Sequence, residues 1–70
     1  MNLTQAVAGK EYIVKRLETN DEELDAFLFS LGCYSGEPIT VISRRRRNYI
    51  VAIKDGRYNV DHLLAQAIHI

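Results

Sequence analysis

Only one stretch of this chain, Asp21 to Leu31, has the apolar spacing of an α-helix; nearly all its other apolar residues fall in short β-rich runs. Leu24, Phe27, Leu28 and Leu31 stand at i, i+3, i+4 and i+7, which puts them on one helical stripe. Asp21, Glu22, Glu23 and Asp25 crowd the start, where the helix dipole favours negative charge, and that position accounts for the cluster without a cation. Thr19 with Glu22, or Asn20 with Glu23, has the spacing of a capping box. Gly32 falls where a left-handed residue ends a helix at little steric cost, and Cys33 just beyond it is expected to pack back on Leu28.

The other apolar runs are too short for helices and rich in β-branched and aromatic residues. Glu11 to Glu18 alternates with a period of two, Tyr12, Val14 and Arg16 on one side and Ile13, Lys15 and Leu17 on the other, which predicts a first strand. Two more are predicted at Pro38–Arg44 and Asn48–Lys54, joined by an Arg45–Arg47 loop. Asp55-Gly56 signals a hairpin into a short strand at Arg57–Val60. Asp61 caps a helical turn through Leu64, and Ala67–Ile70 closes the chain as a fifth strand. Leu3, Ala6 and Val7 around Thr4 add one turn of helix before Gly9. Five short strands with one helix after the first and a helical turn before the last predict a mostly-β domain, a small closed barrel with few free edges. It is read as a single domain over residues 1–70, without repeats or linkers.

A chain of this size buries only about 60% of the surface exposed when unfolded, so a binding surface is easier to accommodate than an enclosed catalytic site. Residues 1–37 carry three basic and seven acidic side chains, and residues 38–70 carry six basic and two acidic, so the net charge of zero hides a division. A nucleic-acid binder is expected to show an overall basic excess, and none is present. Cys33 is the single cysteine, which excludes an internal disulfide and fits a reducing cytosol. Met1 to Lys10 has no basic segment followed by an apolar core, and no run approaches the ~20 apolar residues of a membrane span. The chain is therefore expected to be soluble and cytoplasmic.

Four consecutive arginines, Arg44, Arg45, Arg46 and Arg47, are the most unusual feature, with Tyr49 close behind. They are read as the candidate partner-binding residues, able to grip acidic protein or phosphate, against the plainer role of a solvated hairpin tip. Tyr49 and Tyr58 beside them would supply the stacking of a single-strand binder, which keeps nucleic acid as an alternative. Cys33, His62 and His69 are the only metal candidates, and their spacing is not that of a ligand set. The glycines are isolated and each suits a turn, so no phosphate loop exists, and no nucleophile stands with a patterned base. No catalytic residue and no cofactor are expected.

With the elements placed, Leu28-Phe29-Ser30-Leu31-Gly32-Cys33-Tyr34-Ser35-Gly36 resembles the L-x-x-L-G-x-x-x-G helix end of the ferrous iron transport protein A (FeoA) family. Ile39-Thr40-Val41-Ile42 suits that family's next strand, and Val60, Ala65, Ile68 and Ile70 match its closing pattern, so the likeness runs from Leu3 to Ile70. It implies an SH3-like barrel and a cytosolic, non-enzymatic accessory role in ferrous iron uptake, through the cytosolic region of a membrane GTPase transporter. It also implies kinship with domains that end iron-dependent repressors, and an association with transition metals, for which ferrous iron or zinc at Cys33, His62 and His69 is the one arrangement to test. Two departures stand out: Arg46-Arg47-Asn48-Tyr49 replaces the family's Gly-Asp-Pro, and Asp61 stands where a basic residue is usual.

Overall fold

The structure, a computed structural model, describes residues 1–70. It begins with a 3-10 turn at Leu3–Gln5, whose Asn2 cap accepts from the Thr4 N–H while the Gln5 side chain accepts from the Asn2 N–H. Six strands and two helices follow: β1 (Glu11–Ile13), β2 (Arg16–Leu17), α1 (Glu22–Ser30), β3 (Pro38–Arg45), β4 (Asn48–Ile53), β5 (Gly56–Asp61), α2 (His62–Ala67) and β6 (Ile68–His69).

These strands form two sheets, one ordered β1-β3-β4-β5 and the other pairing β2 with β6, all antiparallel. The closed five-stranded barrel is thereby corrected. The expected first strand breaks at Val14, which turns its side chain fully into the core. Its N–H donates to the Glu37 carbonyl and its own carbonyl accepts from the Gly36 N–H, whereas the Lys15 N–H already donates to the His69 carbonyl. One continuous ladder cannot serve both sets of partners, so the segment divides between the sheets.

Fourteen buried apolar residues fill the space between the sheets. The four-stranded sheet contributes Ile39, Val41, Tyr49, Val51, Ile53 and Val60 from alternate positions, as a half-buried sheet requires. Leu3, Ala65, Ile68 and Ile70 close the core from the chain ends, and Leu28 and Cys33 plug it from the end of α1.

Both tight hairpins differ from the sequence reading. β3 runs through Arg45, so its loop is only Arg46-Arg47, with Arg46 in the left-handed region at φ 57°. The next loop is Lys54-Asp55, with Lys54 at φ 51°, and Gly56 belongs to β5. Gly56 is needed for space: a Cβ there would collide with the Tyr58 ring two residues along the same face.

Candidate partner-docking surface

The start of α1 is fixed by Asp21, whose carboxylate accepts from the Glu23 and Leu24 N–H groups at 2.9 and 3.3 Å. This replaces both capping boxes read from the sequence. Thr19 instead donates to the Asp25 carboxylate at 2.6 Å, and Asn20 takes φ 56°. The far end is a Schellman stop: the Cys33 N–H reaches the Leu28 carbonyl and the Gly32 N–H reaches the Phe29 carbonyl, each at 2.9 Å, with Gly32 at φ 91°. Cys33 and Leu28 lie together in the core, as the sequence reading expected.

Between these ends α1 buries only Leu28 completely, and Leu31 is half-buried against the core. Leu24 is 39% exposed and Phe27 51%, although both belong to the apolar stripe; Phe29 is 63% exposed. Leu24 faces Leu63, Leu64 and Ala67 of α2 across a groove of about 300 Å³, edged by the carboxylates of Glu18 and Asp61 and by no basic side chain. Leu63, 70% exposed, was missed by sequence reasoning; in the pair Leu63-Leu64 just after a helix cap, local spacing does not say which of the two points outward. Past the helix stop, Phe29 stacks on Tyr34 with ring centroids 4.7 Å apart, and the Lys54 ammonium lies 5.5 Å from the Tyr34 ring. Glu37, hydrogen-bonded to Lys54 at 3.1 Å, holds that ammonium's pKa above its ordinary value.

The arginine run divides into two kinds of residue. A bulge between Val41 and Ser43 resets the alternation of β3, so Arg44, itself exposed, pairs with Tyr49 across the hairpin. Arg44 donates to the carbonyls of Thr4 and Ala6, and its guanidinium stands 5.5 Å from the Tyr49 ring. It is a tie between β3 and the N-terminal turn. Arg45, Arg46 and Arg47 are exposed at the hairpin tip. Tyr49 is only 4% exposed, with its hydroxyl 3.0 Å from Nδ1 of His62, so its expected place on a contact surface is corrected to the core. Tyr58 packs against the core as well, which leaves the arginines without exposed tyrosines to stack bases.

The three metal candidates are not brought together, and no cluster of three or more His, Cys, Asp or Glu side chains capable of holding a metal ion exists in the chain. Cys33 is fully buried, and burial pushes its thiol up to about 11. His62 is engaged with Tyr49, and His69 with Glu18 at 3.4 Å. The Arg16 guanidinium, 2.7 Å from Glu18, holds that carboxyl below its ordinary value, and His69 adds to the pull. A neutral buried thiol and two separately engaged imidazoles do not fit a shared iron or zinc ion.

Fold and surface together define a small, mostly-β domain that presents an apolar helix face and a basic hairpin tip to its surroundings. The chain belongs to the FeoA family: the family model described as FeoA domain matches residues 1–70. That membership relates it to ferrous iron uptake. Among solved structures, a crystal structure described as an iron uptake regulatory protein (FeoA) is 20% identical, with a TM-score of 0.86 over 97% of this chain and 91% of that one. A manganese-dependent transcriptional repressor is 24% identical at a TM-score of 0.86; 97% of this chain is covered, but only 39% of the repressor. Both likenesses are of fold. No curated protein sequence matches the chain. No helix is long and apolar enough to cross a membrane.

Proposed function

We propose that this chain is a non-enzymatic, cytosolic accessory protein of ferrous iron uptake that docks onto the cytosolic region of the membrane GTPase transporter and regulates it. The observation that carries the proposal is the apolar side of α1, where Phe27 is half-exposed and Leu24 remains exposed across the groove from Leu63 of α2. A neighbouring set of exposed large apolar side chains on so small a domain marks a contact surface. The acidic side chains in the first turn of α1, Glu22 and Glu23, favour a segment that carries apolar anchors between lysines or arginines. Membership of the FeoA family supports the transporter's cytosolic region as the occupant of this surface.

Calorimetric titration of the chain with the transporter's cytosolic region tests the proposal. L24S and F27S should each weaken binding by about tenfold or more, the scale of a buried contact anchor, while melting within a few degrees of the parent because neither side chain is buried in the free domain. Reversing Arg45 and Arg46, which do not line the groove, to Glu should leave this binding in place. Undiminished affinity in L24S and F27S would remove α1 from the contact.

A further inference from the structure

The outer side of the β3–β4 hairpin carries a second cleft, which adjoins the α1–α2 groove through Asn48, Asp61 and Leu63. The bulge at Ile42 that sets Arg44 opposite Tyr49 puts Ser43 and Arg45 on the other face, opposite Ile50 and Asn48 in the register, with Asn59 opposite Ile50 on β5. With Arg46 from the loop, these six residues line a cleft of about 570 Å³. Ile50 is its only apolar member, and no carboxylate lines it. Asp61 pairs with Asn48 in the same sheet but is committed elsewhere, accepting from the Leu64 N–H at 2.8 Å as the cap of α2.

Every polar side chain of the cleft is uncommitted. The chain's ion pairs are Arg16–Glu18, Lys54–Glu37 and His69–Glu18, so neither Arg45 nor Arg46 has an acidic partner. Ser43, Asn48 and Asn59 give their side chains to no internal hydrogen bond, in contrast to Arg44, which is held by two carbonyls. Two guanidinium forks, two carboxamides and a hydroxyl thus face one space with no internal acceptor. We propose that this cleft binds the phosphate groups of a phosphate-bearing ligand, either a soluble polyphosphate or an anionic lipid headgroup. Guanidinium forks match phosphate oxygens two at a time, the amides and hydroxyl complete the donor set, and the volume exceeds that of one phosphate. An acidic peptide fits less well, because one isoleucine offers little apolar area to bury against a chain.

The test uses the full chain and two probes: inorganic tripolyphosphate, and phosphatidylcholine vesicles with or without phosphatidylglycerol. In a ¹H–¹⁵N titration, tripolyphosphate should move the Arg45 and Arg46 Nε–H and the Asn48 and Asn59 carboxamide signals saturably, and should raise the melting temperature by relieving repulsion at the tip. Saturation by tripolyphosphate identifies a soluble source; co-sedimentation only with phosphatidylglycerol vesicles identifies the headgroup, and either result supports the site. R45Q/R46Q should weaken binding about tenfold per arginine, and R16Q, which alters an exposed arginine elsewhere, should not. Failure to bind both probes, or equal affinity in R45Q/R46Q, overturns the proposal. So does tighter binding of an oligonucleotide or a polyglutamate peptide than of tripolyphosphate.

Discussion

At the residue scale, Cys33 shows how burial alone can decide the chemistry of a group. Its thiol has no polar partner driving its shift; removal from water disfavours the thiolate and lifts the pKa from 9.0 to about 11. Because the folded value lies above the unfolded one, the stabilisation is fully present below pH 9 and is lost as pH rises towards 11. The parent chain should therefore lose up to about 3 kcal/mol more than C33A between those limits in urea melts. Equal losses in the two chains would mean that the thiol is hydrated. Gly56 makes the same point sterically. G56A should destabilise the domain by about 1–3 kcal/mol in thermal melts, since the new Cβ meets the Tyr58 ring, and the same substitution made in Y58A, which has its own cost in lost packing, should cost much less than in the parent. The Asp-Gly pair pointed to a turn, but the need for glycine arises from a ring two residues away and is invisible to turn chemistry.

At the scale of elements, α1 is held mainly at its C-terminal end. Leu28 is fully buried there, while Leu31, the other leucine of the motif, is only half so. L28A should cost about 2–5 kcal/mol in chemical denaturation and L31A distinctly less. The reverse order would mean that the helix end is docked differently. The sequence made the helix legible through its spacing, acids and glycine, because those signals act within a few residues of each other. It did not reveal that two members of the stripe, Leu24 and Phe27, stay in contact with water. An apolar stripe made to meet a partner has the same periodicity as one made to meet the core. The arginine run was likewise plain to read, yet its division between a structural tie and a free tip depends on one bulge at Ile42, which resets every later side chain of β3.

At the scale of the whole molecule, a net charge of zero conceals acids gathered on α1 and arginines gathered on the β3–β4 tip. On the two readings proposed above, the acids favour a basic-apolar partner and the arginines a phosphate group. Charges at the edge of a contact act mainly on encounter, so added salt should slow association with the transporter's cytosolic region more than it hastens dissociation in stopped-flow mixing. A dissociation rate that carried the whole salt effect would place the acids inside the contact. Both ends of the chain are secured beside the last strand: β6 pairs with β2, Asn2 bridges to His69, and the Ile70 N–H donates to the Met1 carbonyl.

The sequence by itself determined the mostly-β character, the helix α1 with its stop at Gly32, the cap at Asp61 and the family resemblance carried by the end of α1. These follow from backbone preferences and periodicities that operate over a few residues. Only the tertiary structure decided that the first strand breaks at Val14, that six strands form two sheets, that Tyr49 lies inside, and that Cys33, His62 and His69 stay apart. Those outcomes depend on which distant groups compete for the same backbone bonds and the same buried volume. Local signals do not encode that competition.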